Sequence, residues 1–176
     1  PHPYQLREAF ERFSQSGPEL ACLQAPLAIH NRADNWLTAM FALEYETLFR
    51  GMLPALESLG APFPLGGTSN HFRTATLRAA GEWDPWNVTE DADLGVRLAR
   101  LGYRCGTLLL PTMEEAPRHL GVWLRQRTRW LKGWIQTIFV HTRNPAALVR
   151  DLGWRRTALF HLALSAIVLS ALCHPV

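Results

Sequence analysis

Residues 157–173 read Thr-Ala-Leu-Phe-His-Leu-Ala-Leu-Ser-Ala-Ile-Val-Leu-Ser-Ala-Leu-Cys, a run without a charged side chain that directly follows Arg155 and Arg156. Two arrangements suit such a run: a helix crossing a bilayer, or a helix buried in a protein core. The run is slightly shorter than the roughly 20 residues a span needs. Because the chain stops three residues later, the first reading makes 155–176 the start of a truncated transmembrane helix. The arginine pair then sets the preceding residues on the cytosolic side.

The segment before that run is acid-free. After Glu114 and Glu115 no acid occurs until Asp151, while Arg118, Arg125, Arg127, Arg129, Lys132, Arg143 and Arg150 all fall between them. A local excess of positive charge suits phosphate, whether in a nucleotide, a lipid headgroup or a nucleic acid. Residues 118–140 read as a helix with Trp123, Trp130 and Trp134 among these basic residues, a mix suited to the membrane–water interface. An ordinary basic surface helix is the other reading. No nucleic-acid-binding signature accompanies the charge.

Hydrophobic residues make up 48% and charged residues 19% of the 176, which excludes a disordered or fibrous chain. Cys22, Cys105 and Cys173 form no metal-binding or disulfide pattern, consistent with a reducing compartment. The chain opens at Pro1-His2-Pro3 without an initiator Met or a signal peptide, and reads as a piece of something longer.

The pattern predicts a helix over 4–14 and a strand from Cys22 to Leu27. A long helix capped by Asp34 or Asn35 follows, with Leu37, Phe41, Tyr45, Leu48, Met52, Leu56 and Leu59 on its apolar face, ending at Gly60. After the Gly66–Asn70 loop come one or two helical turns over Leu77–Gly81 and an irregular loop over 82–88. A helix capped by Thr89 then runs to about Leu101, and a strand covers Tyr103–Leu110.

Thr89-Glu90-Asp91-Ala92-Asp93 sets three carboxylates in the first turn of that helix. Free N–H groups and the helix dipole keep such acids ionised, and an ionised carboxylate can take a proton from an attacking hydroxyl. Plain helix capping explains the same residues, and Arg97 four residues on gives Asp93 an ion-pair partner. In the basic helix Gln126, Arg129, Trp130 and Gly133 share one face. There a guanidinium could neutralise a diphosphate, an indole could support a sugar ring and a glycine permits close approach. A lipid-facing Arg/Trp belt is the alternative. Gly67, Thr68, Ser69 and Asn70 offer main-chain amides and short polar side chains to a sugar or phosphate. His71 reads either as a ligand or as a structural histidine. Trp83, Asp84 and Trp86 read either as a carbohydrate-contacting loop or as a core corner.

Thr89-Glu90-Asp91 followed about 35 residues later by Gln126-x-x-Arg129-Trp130 resembles the motif pair of membrane-integrated family-2 glycosyltransferases such as cellulose synthase and hyaluronan synthase. The Gly66–Arg73 and Thr89–Gly95 segments are similar to the cellulose-synthase-like and phage-adsorption-protein-B-like branch. The resemblance implies an α/β fold, the C-terminal half of a GT-A (Rossmann-like) domain. It implies acceptor-side residues over 1–116, an interfacial region over 117–154 and the start of a transmembrane helix over 155–176. It further implies Asp91 as the general base, Glu90, Gln126, Arg127, Arg129 and Trp130 around acceptor and diphosphate, and Gly67–Asn70 as the acceptor loop.

The donor half, with its metal-binding Asp-x-Asp, has no counterpart in this chain, so no metal ligand is expected here. Mg²⁺ or Mn²⁺ would be held upstream of Pro1. The implied partners are a nucleotide sugar, expected as a UDP-sugar, a glycan or other hydroxyl acceptor, and the lipid bilayer, with no nucleic acid. The implied place is the cytosolic face of a bacterial inner membrane. The competing expectation is a non-catalytic, membrane-associated module that binds lipid or a partner.

Overall fold

The structure, a computed structural model, describes residues 1–173. Helix α1 covers Gln5–Ser14. The apolar run after it divides into β1 (Leu20–Gln24) and β2 (Leu27–Ile29) rather than one strand. Pro26 lies at the break and has no N–H to give a ladder.

The expected long helix forms in three pieces. Helix α2 (Trp36–Glu46) starts at Asn35, whose side chain accepts from the Thr38 N–H while the Thr38 hydroxyl accepts from the Asn35 N–H. A π-helical turn follows over Thr47–Met52, then α3 over Leu53–Ser58. Pro54 accounts for the wider turn, because it cannot donate to the carbonyl of Arg50. The stop at Gly60 is as expected, with a left-handed φ of 62°.

Strand β3 (Asn70–Phe72), α4 (Thr74–Ala79), α5 (Glu90–Arg100), β4 (Arg104–Thr107) and β5 (Thr112–Glu114) complete the α/β part. β1 is the central strand of three, antiparallel to β3 and parallel to β4; β2 and β5 form a separate parallel pair. Cys22 and Cys105, distant in sequence, are register partners across β1 and β4, and both thiols are free. The core joins Phe41, Phe49, Leu53 and Phe63 to Leu94 and Leu98 of α5.

Three helices follow: α6 (Leu120–Thr142), α7 (Pro145–Leu152) and α8 (Trp154–Cys173). Helix α7 was not anticipated, although Asn144, which caps it by accepting from the Ala147 N–H, and Pro145 in its first turn form a standard start signal. The charge-free run forms α8, but Phe160 and Leu164 pack into a second core with Val96, Ala99, Leu148 and Leu152. Its other side exposes Leu162 and Leu169. Among the described residues no helix is long and apolar enough to cross a membrane, so the expected span over 155–176 is not met there. Residues 174–176 lie outside the description.

Candidate active site

Helix α5 presents Asp91 from its first turn. Thr89 is the N-cap of this helix, as expected, although its side chain makes no capping bond. Its main-chain oxygen accepts from the Asp93 N–H, and its hydroxyl is buried without a partner. Asp91 Oδ1 accepts from the Ala92 N–H at 2.7 Å. Burial pushes the Asp91 carboxyl up, the Glu90 charge adds to this, and main-chain N–H groups and Arg129 pull it back, leaving a pKa of about 6. A carboxylate of that basicity is poised to accept a proton near neutral pH.

Two other elements approach Asp91. The first is the Gly66–Asn70 loop: a Cβ on Gly67 would lie 3.3 Å from Asp91 Oδ2, so the glycine leaves an unobstructed path to the carboxylate. The loop is held from below by Gln24. Its amide accepts from the Gly66 N–H at 2.7 Å and donates to the Thr68 carbonyl at 2.9 Å. Ser69 adopts a left-handed φ of 59° and shares a hydrogen bond with Thr112, while Asn70 donates to the Gly66 carbonyl. The Asn70 Oδ1 atom is buried with no partner.

The second element is α6. Gly133 is buried against Thr89, where any side chain would collide with the threonine. That contact joins the two sequence motifs in space. Arg129 is exposed and within Coulombic reach of Asp91. Arg127, expected beside it at the acceptor and diphosphate, is engaged elsewhere. It pairs with Glu44 and lies over the rings of Phe41, Trp123 and Trp130 at 5.1–5.4 Å. Trp130 is thereby covered by a guanidinium and packed near Phe41 and Trp134, which leaves less of its face for a sugar than the sequence suggests.

Among the described residues, the buried side-chain atoms without a partner are Asn70 Oδ1, Thr89 Oγ1, Gln126 Oε1 and Arg127 Nε. All belong to the three sequence-predicted segments. Buried polar atoms are normally paired, so the orphans on Asn70, Thr89 and Gln126 leave hydrogen-bonding capacity in these segments for a polar ligand or for water. Sequence reading missed Gln24 and Tyr45. Gln24 is a polar interruption at the end of a fully buried strand, which is a usable signal. Tyr45 is buried within Coulombic reach of Asp91, Glu114, Glu44 and Arg127, but its spacing in α2 marks it only as core. His71 sits 3.3 Å from the Gln5 amide oxygen, as a structural histidine would, and its burial lowers its pKa.

Among the described residues no group of three or more His, Cys, Asp or Glu side chains could hold a metal ion. These residues do not fit a divalent cation.

The description "glycosyl transferase family group 2" belongs to a family model that matches residues 1–176, and the chain belongs to that family. It is 29% identical over 124 residues to a probable glucomannan 4-beta-mannosyltransferase 7 of Oryza sativa subsp. japonica, covering 69% of this chain and 21% of that protein. It is 27% identical over 145 residues to a beta-monoglucosyldiacylglycerol synthase of Synechocystis sp., covering 80% and 29%. The fold matches a mannosyltransferase of Pyrobaculum calidifontis solved with GDP-Man and Mn2+, with a TM-score of 0.62, 17% identity, and coverage of 98% of this chain and 45% of that one. The chain thus spans well under a third of the two curated relatives named.

Proposed function

We propose that this chain is the acceptor side of an inverting glycosyltransferase in which Asp91 is the general base. The observation that carries the reading is the approach of Gly67 and Arg129 to Asp91, in segments whose Asn70, Thr89 and Gln126 side chains each keep an unpaired buried atom. An acceptor hydroxyl gives its proton to Asp91 and attacks the anomeric carbon of the donor in line. The bond from that carbon to the diphosphate breaks, and the diphosphate leaves with the electron pair. Arg129 neutralises the charge that develops there. Gln126, Thr89 and Asn70 take the acceptor's hydroxyls, with Glu90 and the Gly67–Asn70 loop at the rim.

The donor we propose is a nucleoside-diphosphate sugar. The expected uridine is widened to any base, because the archaeal fold neighbour was solved with GDP-Man. That neighbour also carried Mn2+, and a divalent cation, if used, would be held by residues outside this chain. We further propose that the chain works against the cytosolic face of a bacterial membrane. The acid-free α6 supports this, with Leu120, Val122, Leu124, Phe139 and Val140 exposed.

The test is Asp91→Asn in the full-length protein with a labelled nucleotide sugar. Transfer lost while the protein stays folded supports the assignment; transfer at the wild-type rate sinks it. The competing module reading predicts a silent Asp91→Asn and loss of function on charge reversal at Arg118 and Arg125.

A further inference from the structure

Three residues of α6 with no chemical role in the transfer join the two helices that carry it. The buried residues of α6 are Gly133, Thr137 and His141, spaced four apart and so on one face. None is the large aliphatic residue that usually fills a helix–helix contact. All three meet the segment 87–93. Gly133 lies under Thr89. The Thr137 hydroxyl accepts from the Asn87 amide at 3.1 Å, and the other end of that amide accepts from the Thr89 N–H. His141 Nε2 lies 2.9 Å from Asp93 Oδ1.

The tautomer of His141 follows from its second partner. Arg100 Nη1 is 3.3 Å from His141 Nδ1, and a guanidinium can only donate. Nδ1 therefore accepts, and Nε2 carries the proton that is given to Asp93. Arg100 is held in turn by two bonds to Asp151 on α7, at 2.7 and 3.0 Å. Arg97 closes the other side of Asp93 at 2.6 Å. Apolar ridges tolerate small slips, whereas buried hydrogen bonds lose their partners when a helix slides.

We propose that Asn87–Thr137 and Asp93–His141 form a polar lock that fixes the register of α6 on α5, and so the separation of Arg129 from Asp91. Asn87, Thr137 and His141 are then positioning residues for the transfer. The inference rests on the base assignment above. Misplacement by about 1 Å can cost about 100-fold in rate, so the lock acts on kcat rather than on donor affinity.

The test measures kcat, donor KM and the pH dependence of kcat in full-length Thr137→Val, His141→Leu and His141→Gln. Thr137→Val keeps the shape and removes the acceptor; kcat falls about 10-fold with donor KM within about twofold. His141→Leu falls about 100-fold. His141→Gln, whose amide can donate to Asp93 and accept from Arg100, recovers most of the loss. In Thr137→Val the acid limb of the profile moves to lower pH as water reaches Asp91.

The groups facing Asp91 (Glu90 on α5, Arg129 on α6, Tyr45 on α2) are unchanged in all three variants. So are those around His141: Asp93, Arg97 and Arg100 on α5, Asp151 on α7, and His161, which meets Phe160 edge-on. Asp91→Asn run alongside separates the failures. Wild-type transfer there overturns the base assignment and the lock's role with it. An inactive Asp91→Asn beside unaltered kcat and acid limb in Thr137→Val and His141→Leu overturns the lock alone.

Discussion

Asp91 and Asp93 are two residues apart in the first turn of one helix, about 200° apart around its axis, and they have opposite chemistry. Asp93 is buried between the Arg97 guanidinium and the His141 ring. Burial alone would raise its pKa, but hydrogen bonds from His141 and Arg97 outweigh that and hold it below the ordinary carboxylate value. Asp91 is also desolvated by burial but makes no ion pair among the described residues, with Arg129 only within Coulombic reach, so burial pushes its pKa up to about 6. One helix start thus offers a fixed structural anion on one side and a proton acceptor on the other. The difference comes from Arg97 of α5 and His141 of α6, which bond Asp93 and have no counterpart at Asp91.

The largest expected effect lies on Asp91. Asp91→Asn lowers kcat about 1000-fold in a labelled-donor assay, while Asp93→Asn, which keeps the shape of its network, lowers it far less. Next is stability. Asp93→Ala leaves His141 and Arg97 facing an empty site and costs about 3 kcal/mol, read as a fall in Tm. The pH dependence of that contribution has a definite sign. Asp93 has a depressed folded pKa, so its contribution is present above the ordinary value of 3.8 and is lost as pH falls through the lower folded value.

The arginines of α6 sharpen the same contrast. Arg129→Ala lowers kcat about 100-fold with the fold intact. Arg127→Ala, which uncovers Phe41, Trp123 and Trp130 and frees Glu44, lowers Tm more than it lowers kcat. The smallest effect is a gain. Asp91 has a raised folded pKa, so its ionisation costs stability as pH rises from 3.8 to about 6. Asp91→Asn therefore raises stability at pH 7, in the variant that loses the most activity.

The sequence made the site residues legible and left most of their supports hidden. Asp91, Arg129 and the Gly67–Asn70 loop stand out because short motifs place chemistry-bearing residues at helix starts and in loops. Asp93–Arg97 was legible as a spacing of four on a helix, and the structure bears it out. Its bond to His141, 48 residues away, was not, because no local rule pairs them. Gln24 and Tyr45 were read only as parts of apolar runs. Arg127 and Trp130 were assigned to ligand from the motif, but Glu44 and Phe41, which engage them, come from a separate helix. The charge-free run was read first as a membrane span, and among the described residues it forms a helix with one side in a protein core. What sequence could not give was the apolar patch from α5 and α7 that covers the inward side of α8.

The central claim is that Asp91 is a base with its pKa lifted by burial. The pH dependence of kcat in the full-length protein tests it most directly. The account predicts that log kcat climbs with unit slope to about pH 6 and then levels, and that residual turnover in Asp91→Asn shows no such limb. A rate that is flat from pH 4.5 to 8, or a limb that persists unchanged in Asp91→Asn, would contradict it.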